Sequence, residues 1–144
     1  MTTDTAPIAH NENAVDLINA LRNVHIKMTE QGLNKQLSAL LELRASQINQ
    51  CAYCVNMHLE DAKRAGVNQE KLDLLIVWRQ VDVFSAAERA VFAWTEALTL
   101  LNENTDYASL RAGLRQHFSD SEITVLTANI GMINLWNRAR VSNH

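Results

Sequence analysis

Four glycines and one proline are few for a chain of 144 residues. A sheet needs turn residues at each reversal, so this scarcity argues against strands and for an all-α fold. No run of about eighteen apolar residues is present, which excludes a membrane-spanning helix. Basic clusters are missing too, and the net charge is −3, so nucleic acid is not an expected partner. Residues 1–13 lack the apolar stretch of a secretory signal, and a cytoplasmic location is expected. Cysteine is nearly absent, with two in the whole chain. In a reducing compartment a lone Cys-x-x-Cys is more often catalytic or metal-binding than a static staple.

What is present is apolar periodicity at helical spacing, and 47% hydrophobic residues to fill a core. The length fits one domain, 1–144, with residues 1–12 as a loose lead-in. Val15, Ile18, Leu21, Ile26 and Met28 mark a helix from about Asn13 to Gln31, stopped by Gly32. His25 within it reads as a surface or packed histidine. Asn34 caps a second helix carrying Leu37, Leu40, Leu41 and Leu43. A break near Asn49 precedes a helix that starts at Gln50 or Cys51 and runs to Gly66. Asn68 opens a helix to about Gln80, with Leu72, Leu75, Ile76 and Trp78 inward. Ser85 with Glu88, and Ser119 with Glu122, are capping-box pairs that start two further helices, the first running to about Asn102. A short helix, Tyr107 to His117, lies between them. The last helix is apolar on most faces, with Asn129, Asn134 and Asn137 interspersed. Such a helix is central or lies at a subunit interface, with Ile130, Met132, Ile133, Leu135 and Trp136 mostly in the core. Asn137 and Arg138 are expected to be structural. The total is a helical bundle of about six or seven helices.

The chemistry-bearing stretch is Cys51-Ala-Tyr-Cys-Val-Asn-Met-His58. On a helix, positions 51, 54 and 58 share one face. A thiolate is the reactive form of cysteine, and a free thiol near pKa ~8.5 is mostly protonated at neutral pH. The first turn of a helix favours an anion through its macrodipole. His58, at i+4 from Cys54, is placed to take that thiol's proton. Two cysteines at i and i+3 can also close to a disulfide with little backbone change. Two other readings stand beside this one. The pair could hold zinc with His58, although no second paired motif supplies a fourth ligand, and His10, His25, His117 and His144 lack matching spacing. The cysteines could also simply pack. No cofactor motif is visible.

The longer string 43–66, LRASQINQCAYCVNMHLEDAKRAG, resembles the core of the alkylhydroperoxidase D-like branch of the carboxymuconolactone decarboxylase superfamily. The stretches Gly32–Leu37, Leu75–Arg79, Phe84–Thr99 and Met132–Arg138 resemble its lead-in and later helices, in order. The likeness covers roughly Ala14 to Arg140. It implies an all-α protein that forms trimers or hexamers, with the active site near a subunit contact. It implies a thiol-dependent peroxidase in which Cys54 attacks a hydroperoxide, Cys51 resolves the product to a disulfide, and His58 relays the proton. An external thiol or dithiol would then reopen the disulfide.

The sequence departs from that pattern at two positions. The family's relay glutamate, twelve residues before the first cysteine, is Ala39 here, and Glu42, one turn on, is the candidate replacement. The family's glycine just before the first cysteine is Gln50. The displaced carboxylate implies slow peroxide turnover. Two alternative functions follow: a decarboxylase or lactone-processing enzyme of the same superfamily, or a non-enzymatic oligomer whose assembly senses the disulfide.

Overall fold

The computed structural model describes residues 3–144, and every regular element among them is helical. Eight α-helices and one 3₁₀ segment follow in order, where the sequence suggested six or seven. They are α1 (His10–Asn13), α2 (Val15–Glu30), α3 (Lys35–Ile48), α4 (Ala52–Arg64), α5 (Gln69–Leu74), the 3₁₀ segment Leu75–Gln80, α6 (Ala86–Leu100), α7 (Tyr107–Arg115) and α8 (Asp120–Val141).

The ends of these elements follow from their capping residues. Asn34 accepts from the Leu37 N–H and starts α3, and Asn68 accepts from Glu70 to start α5. Ser85 and Glu88 form a complete capping box at α6, as do Ser119 and Glu122 at α8. Gly32 (φ 86°) and Gly66 (φ 84°) reverse the chain after α2 and α4 in the left-handed region open to glycine.

Several expectations are corrected. The lead-in is not wholly loose: residues 10–13 form α1, and Asn143 pins Ile8 from both sides through its side-chain amide. The helix expected over 69–80 changes to 3₁₀ winding after Leu74. Its buried residues, Leu72, Leu75 and Trp78, recur every three positions, the 3₁₀ period, and Ile76 is exposed rather than inward. The helix from Ser85 stops at Leu100, where Leu101 adopts φ 53° as its C-cap.

The enclosed centre is α3 rather than the last helix. Leu40 and Leu43 pack on one side with Trp78, Phe84 and Phe92. Leu41 and Ala45 pack on the other with Val91, Leu126, Ile130 and Ile133. Burying a leucine fully is worth about 1.5–3 kcal/mol, so the two-sided burial of α3 anchors both halves of the core. Helix α8 buries one face: Leu126, Asn129, Ile130, Ile133, Asn134 and Asn137. Leu135, expected inside, is exposed. On α2 only Ile18 and Met28 are buried, and Val15 and Ile26 face outward. His25 is packed: Trp136 donates its indole N–H to His25 Nε2 at 2.7 Å. No helix of the described residues is long and apolar enough to cross a membrane.

Candidate active site

The site is built at the turn from α3 to α4. Asn49 caps α3 in a near-helical conformation, and Gln50 then takes φ 53°. That left-handed residue turns the chain, so that Cys51 arrives extended (φ −95°, ψ 97°) as the N-cap of α4. An L-residue with a Cβ is strained there by about 1–2 kcal/mol. This is the position where the resemblance placed glycine, and it explains why the family would use one.

The turn is held from below by buried amides. Asn49 donates to both Asn134 and Asn137 of α8, at 3.0 and 2.9 Å. Asn137 in turn donates to Ser46 Oγ at 3.0 Å, and the Cys51 N–H reaches the Ser46 carbonyl at 3.2 Å. Asn134 and Asn137, two of the asparagines interspersed in the last helix, therefore fix the backbone that presents the cysteines. Arg140 of α8 adds an outer clamp, with its guanidinium 3.6 Å from the Tyr53 ring centroid.

Cys51 and Cys54 are joined in a disulfide across one helical turn, with Cα atoms 5.2 Å apart. Cys51 Sγ also accepts from the Cys54 N–H at 3.3 Å, so a sulfur takes the role of the capping oxygen. Cys54 lies at the third helical position, inside the turn where the helix dipole favours a negative charge. Both sulfur residues are buried; Cys51 has no exposed surface and Cys54 keeps 4%.

His58 shares their stripe and is also buried. Its Nδ1 lies 3.3 Å from Glu42 Oε2 and 3.5 Å from Asp61 Oδ2. These are ionic approach distances. Neither ring nitrogen completes an aligned hydrogen bond among the described residues, so the contacts in this disulfide form are electrostatic. Glu42, the replacement candidate on α3, is thus brought to the imidazole, and Ala39 is buried one turn away. Glu42 Oε1 accepts from Ser38 Oγ at 2.8 Å, and Ser38 accepts from Asn129 Nδ2 at 2.9 Å.

Asp61 was not singled out from the sequence, although it sits at i+3 from His58 and helical spacing would have flagged it. Its other oxygen pairs with Arg64. A cleft of about 320 Å³ opens on these carboxylates, lined by Ser38, Ala39, Glu42, Asp61 and Arg64 among others. The small side chain of Ala39 leaves room there. Among the described residues no group of three or more His, Cys, Asp and Glu side chains is gathered as a metal site would need.

The chain is similar to known proteins over most of its length. The model of the carboxymuconolactone decarboxylase family matches residues 12–97, a span that includes both cysteines, Glu42, His58 and Asp61. The uncharacterised protein YdfG of Bacillus subtilis is 31% identical over 117 residues, covering 81% of this chain and 80% of its own length. The uncharacterised protein YnjA of Escherichia coli is 35% identical over 104 residues, 72% of this chain and 56% of its own. Among solved structures, a protein of unknown function from Agrobacterium tumefaciens, provisionally described as the antioxidant defence protein AhpD, superposes with a TM-score of 0.88. It shares 34% identity, over 96% of this chain and 94% of that one.

Proposed function

From the premise that the chain belongs to the carboxymuconolactone decarboxylase family and has an AhpD-like fold, we propose that it is a thiol-dependent peroxidase acting on hydroperoxides. The observation that carries the reading is the disulfide itself, closed between Cys51 and Cys54 at the start of α4 with His58 one turn on.

In the reduced protein, His58 Nε2 takes the proton of Cys54, its partner one helical turn away. The two carboxylates accept only, so they favour a proton on Nδ1 and leave Nε2 as the base. The Cys54 thiolate attacks one peroxide oxygen. The S–O bond forms, the O–O bond breaks, and the leaving alkoxide takes the proton from His58 and departs as an alcohol. Cys54 is left as a sulfenic acid. Cys51 attacks that sulfur, the disulfide forms, and the hydroxyl leaves as water with the Cys51 proton. An external thiol or dithiol reopens the disulfide and is itself oxidised. Cys54 suits the attacking role because it lies at i+4 from His58 on α4 and, of the two cysteines, is the one with exposed surface.

A homo-oligomer, trimer or hexamer, accompanies this reading. Tyr53 and Met57, exposed next to the Cys54–His58 stripe, support a subunit contact there. The test is steady-state consumption of an alkyl hydroperoxide with a dithiol reductant. Activity is expected in the native protein and lost in Cys54→Ser. Full activity in Cys54→Ser, or after both thiols are alkylated, would remove the peroxidase reading and leave the family's acid–base chemistry.

A further inference from the structure

Asn129 is an unusual residue for its position. It has no exposed surface and sits on α8 among Leu126, Ile130 and Ile133. Its Oδ1 is buried without a hydrogen-bond partner among the described residues. An unsatisfied buried acceptor costs about 1–3 kcal/mol, and an apolar side chain of the same size would avoid that cost. Stability alone therefore does not account for an asparagine here.

Its Nδ2, in contrast, begins a directed chain. Nδ2 donates to Ser38 Oγ at 2.9 Å. Ser38 has one hydroxyl proton, and it donates that proton to Glu42 Oε1 at 2.8 Å. Glu42 Oε2 then faces His58 Nδ1 at 3.3 Å. Every direction is forced: the amide N–H can only donate, the carboxylate can only accept, and the hydroxyl does one of each. The chain crosses from α8 through α3 to α4, and three of its members, Asn129, Ser38 and His58, are buried. The two hydrogen bonds, Asn129 to Ser38 and Ser38 to Glu42, are linked head to tail and reinforce one another in this setting, and the approach of Glu42 to His58 continues them electrostatically.

We propose that Asn129 and Ser38 are positioning residues that set the reactivity of Cys54, acting through Glu42 and His58. Asn129 polarises and orients the Ser38 hydroxyl. Ser38 holds the Glu42 carboxylate in place, with one oxygen occupied and the other turned to the imidazole. Glu42 keeps the imidazole proton on Nδ1 and the Nε2 lone pair free for the thiol. This also accounts for a carboxylate working from position 42: Ser38, one turn before it on α3, fixes the rotation that the backbone alone leaves open. The inference rests on the peroxidase reading for its purpose, but its test does not need peroxide.

The test is the rate of Cys54 alkylation by iodoacetamide against pH in the reduced full chain, resolved from Cys51 by peptide mass. The native protein should show a Cys54 midpoint below that of an ordinary thiol. Ser38→Ala should raise the midpoint and slow alkylation at neutral pH by about three- to tenfold. Asn129→Leu should shift it the same way by less while leaving thermal stability equal or higher. The double variant should shift no further than Ser38→Ala, since both act along one line. Ser38→Thr, which keeps the hydroxyl, should restore the native profile, and it decides the matter if Asn129→Leu does not fold. An unchanged midpoint in Ser38→Ala, with the native midpoint low, overturns this inference and spares the peroxidase reading. A native midpoint in the ordinary thiol range overturns the peroxidase reading instead.

Discussion

Glu42 reaches His58 Nδ1 at 3.3 Å, although it stands one turn after the position where the resembling family carries its relay glutamate. Three residues along a helix leave a side chain about 60° off the original direction. The deficit is made up because the carboxylate extends across the α3–α4 contact and is held there by Ser38. Glu42→Gln should therefore lower kcat/KM for peroxide by about ten- to a hundredfold, the usual cost of losing a group that orients a working histidine. Asp61→Asn should cost less than tenfold, because Asp61 is 38% exposed and shared with Arg64. Steady-state kinetics on the two variants checks the order.

Gln50 is held at φ 53° at the start of the site, and Leu101 at φ 53° after α6. Glycine removes the steric cost at either place and gives back part of it in chain entropy. Gln50→Gly and Leu101→Gly are each expected to stabilise the protein by about 0.5–1 kcal/mol, read as a rise of roughly 2–4 °C in Tm.

Glu96 lies buried between Arg44, Arg79 and the Trp78 indole N–H. Burial alone would push its carboxyl up, but hydrogen bonds from Trp78, Arg79 and Arg44 outweigh it and hold the carboxyl below its usual 4.5. A carboxyl lowered on folding stabilises the native state above its unfolded value, and that stability is lost as pH falls through the folded value. Thermal melts should thus fall steeply below about pH 4.5. In Glu96→Gln the protein should be less stable at neutral pH by roughly 2 kcal/mol, with a flatter acid limb. A parallel acid limb in the variant would show that other carboxylates govern the loss.

Trp136 donates to His25 Nε2 and stacks on its ring, with centroids 6.1 Å apart, and so ties α2 to α8. Since α2 buries only Ile18 and Met28, this hydrogen bond is a large share of its attachment. Trp136→Phe should speed amide hydrogen exchange in α2 by about fivefold, equivalent to ~1 kcal/mol, with the α3 amides unchanged.

The parts of this fold legible in the sequence are those governed by neighbours a few residues apart. The capping boxes at Ser85 and Ser119, the Asn34 and Asn68 caps, and the Cys51–Cys54–His58 stripe are all of this kind. The 3₁₀ winding was visible in principle in the three-residue spacing of Leu72, Leu75 and Trp78, but it shares its apolar signal with an α-helix. What could not be read are the partners of the asparagines of α8. Asn129 meets Ser38 across 91 residues of chain, and Asn137 meets Ser46 across the same separation. Nothing local marks a buried asparagine apart from a surface one. Glu42 lay between these cases: its place on α3 was readable, but its rotation toward His58 depends on Ser38 and on how α3 and α4 pack.

The most decisive experiment is a single turnover followed by intact mass. Reduced protein is mixed with one equivalent of an alkyl hydroperoxide in the absence of any other thiol. The native chain should lose two hydrogens as the Cys51–Cys54 disulfide forms, Cys51→Ser should gain one oxygen at Cys54, and Cys54→Ser should stay unmodified. Oxidation of Cys51 in the Cys54→Ser chain at the native rate, or a native chain unchanged while peroxide persists, would contradict a peroxidase cycle at this site.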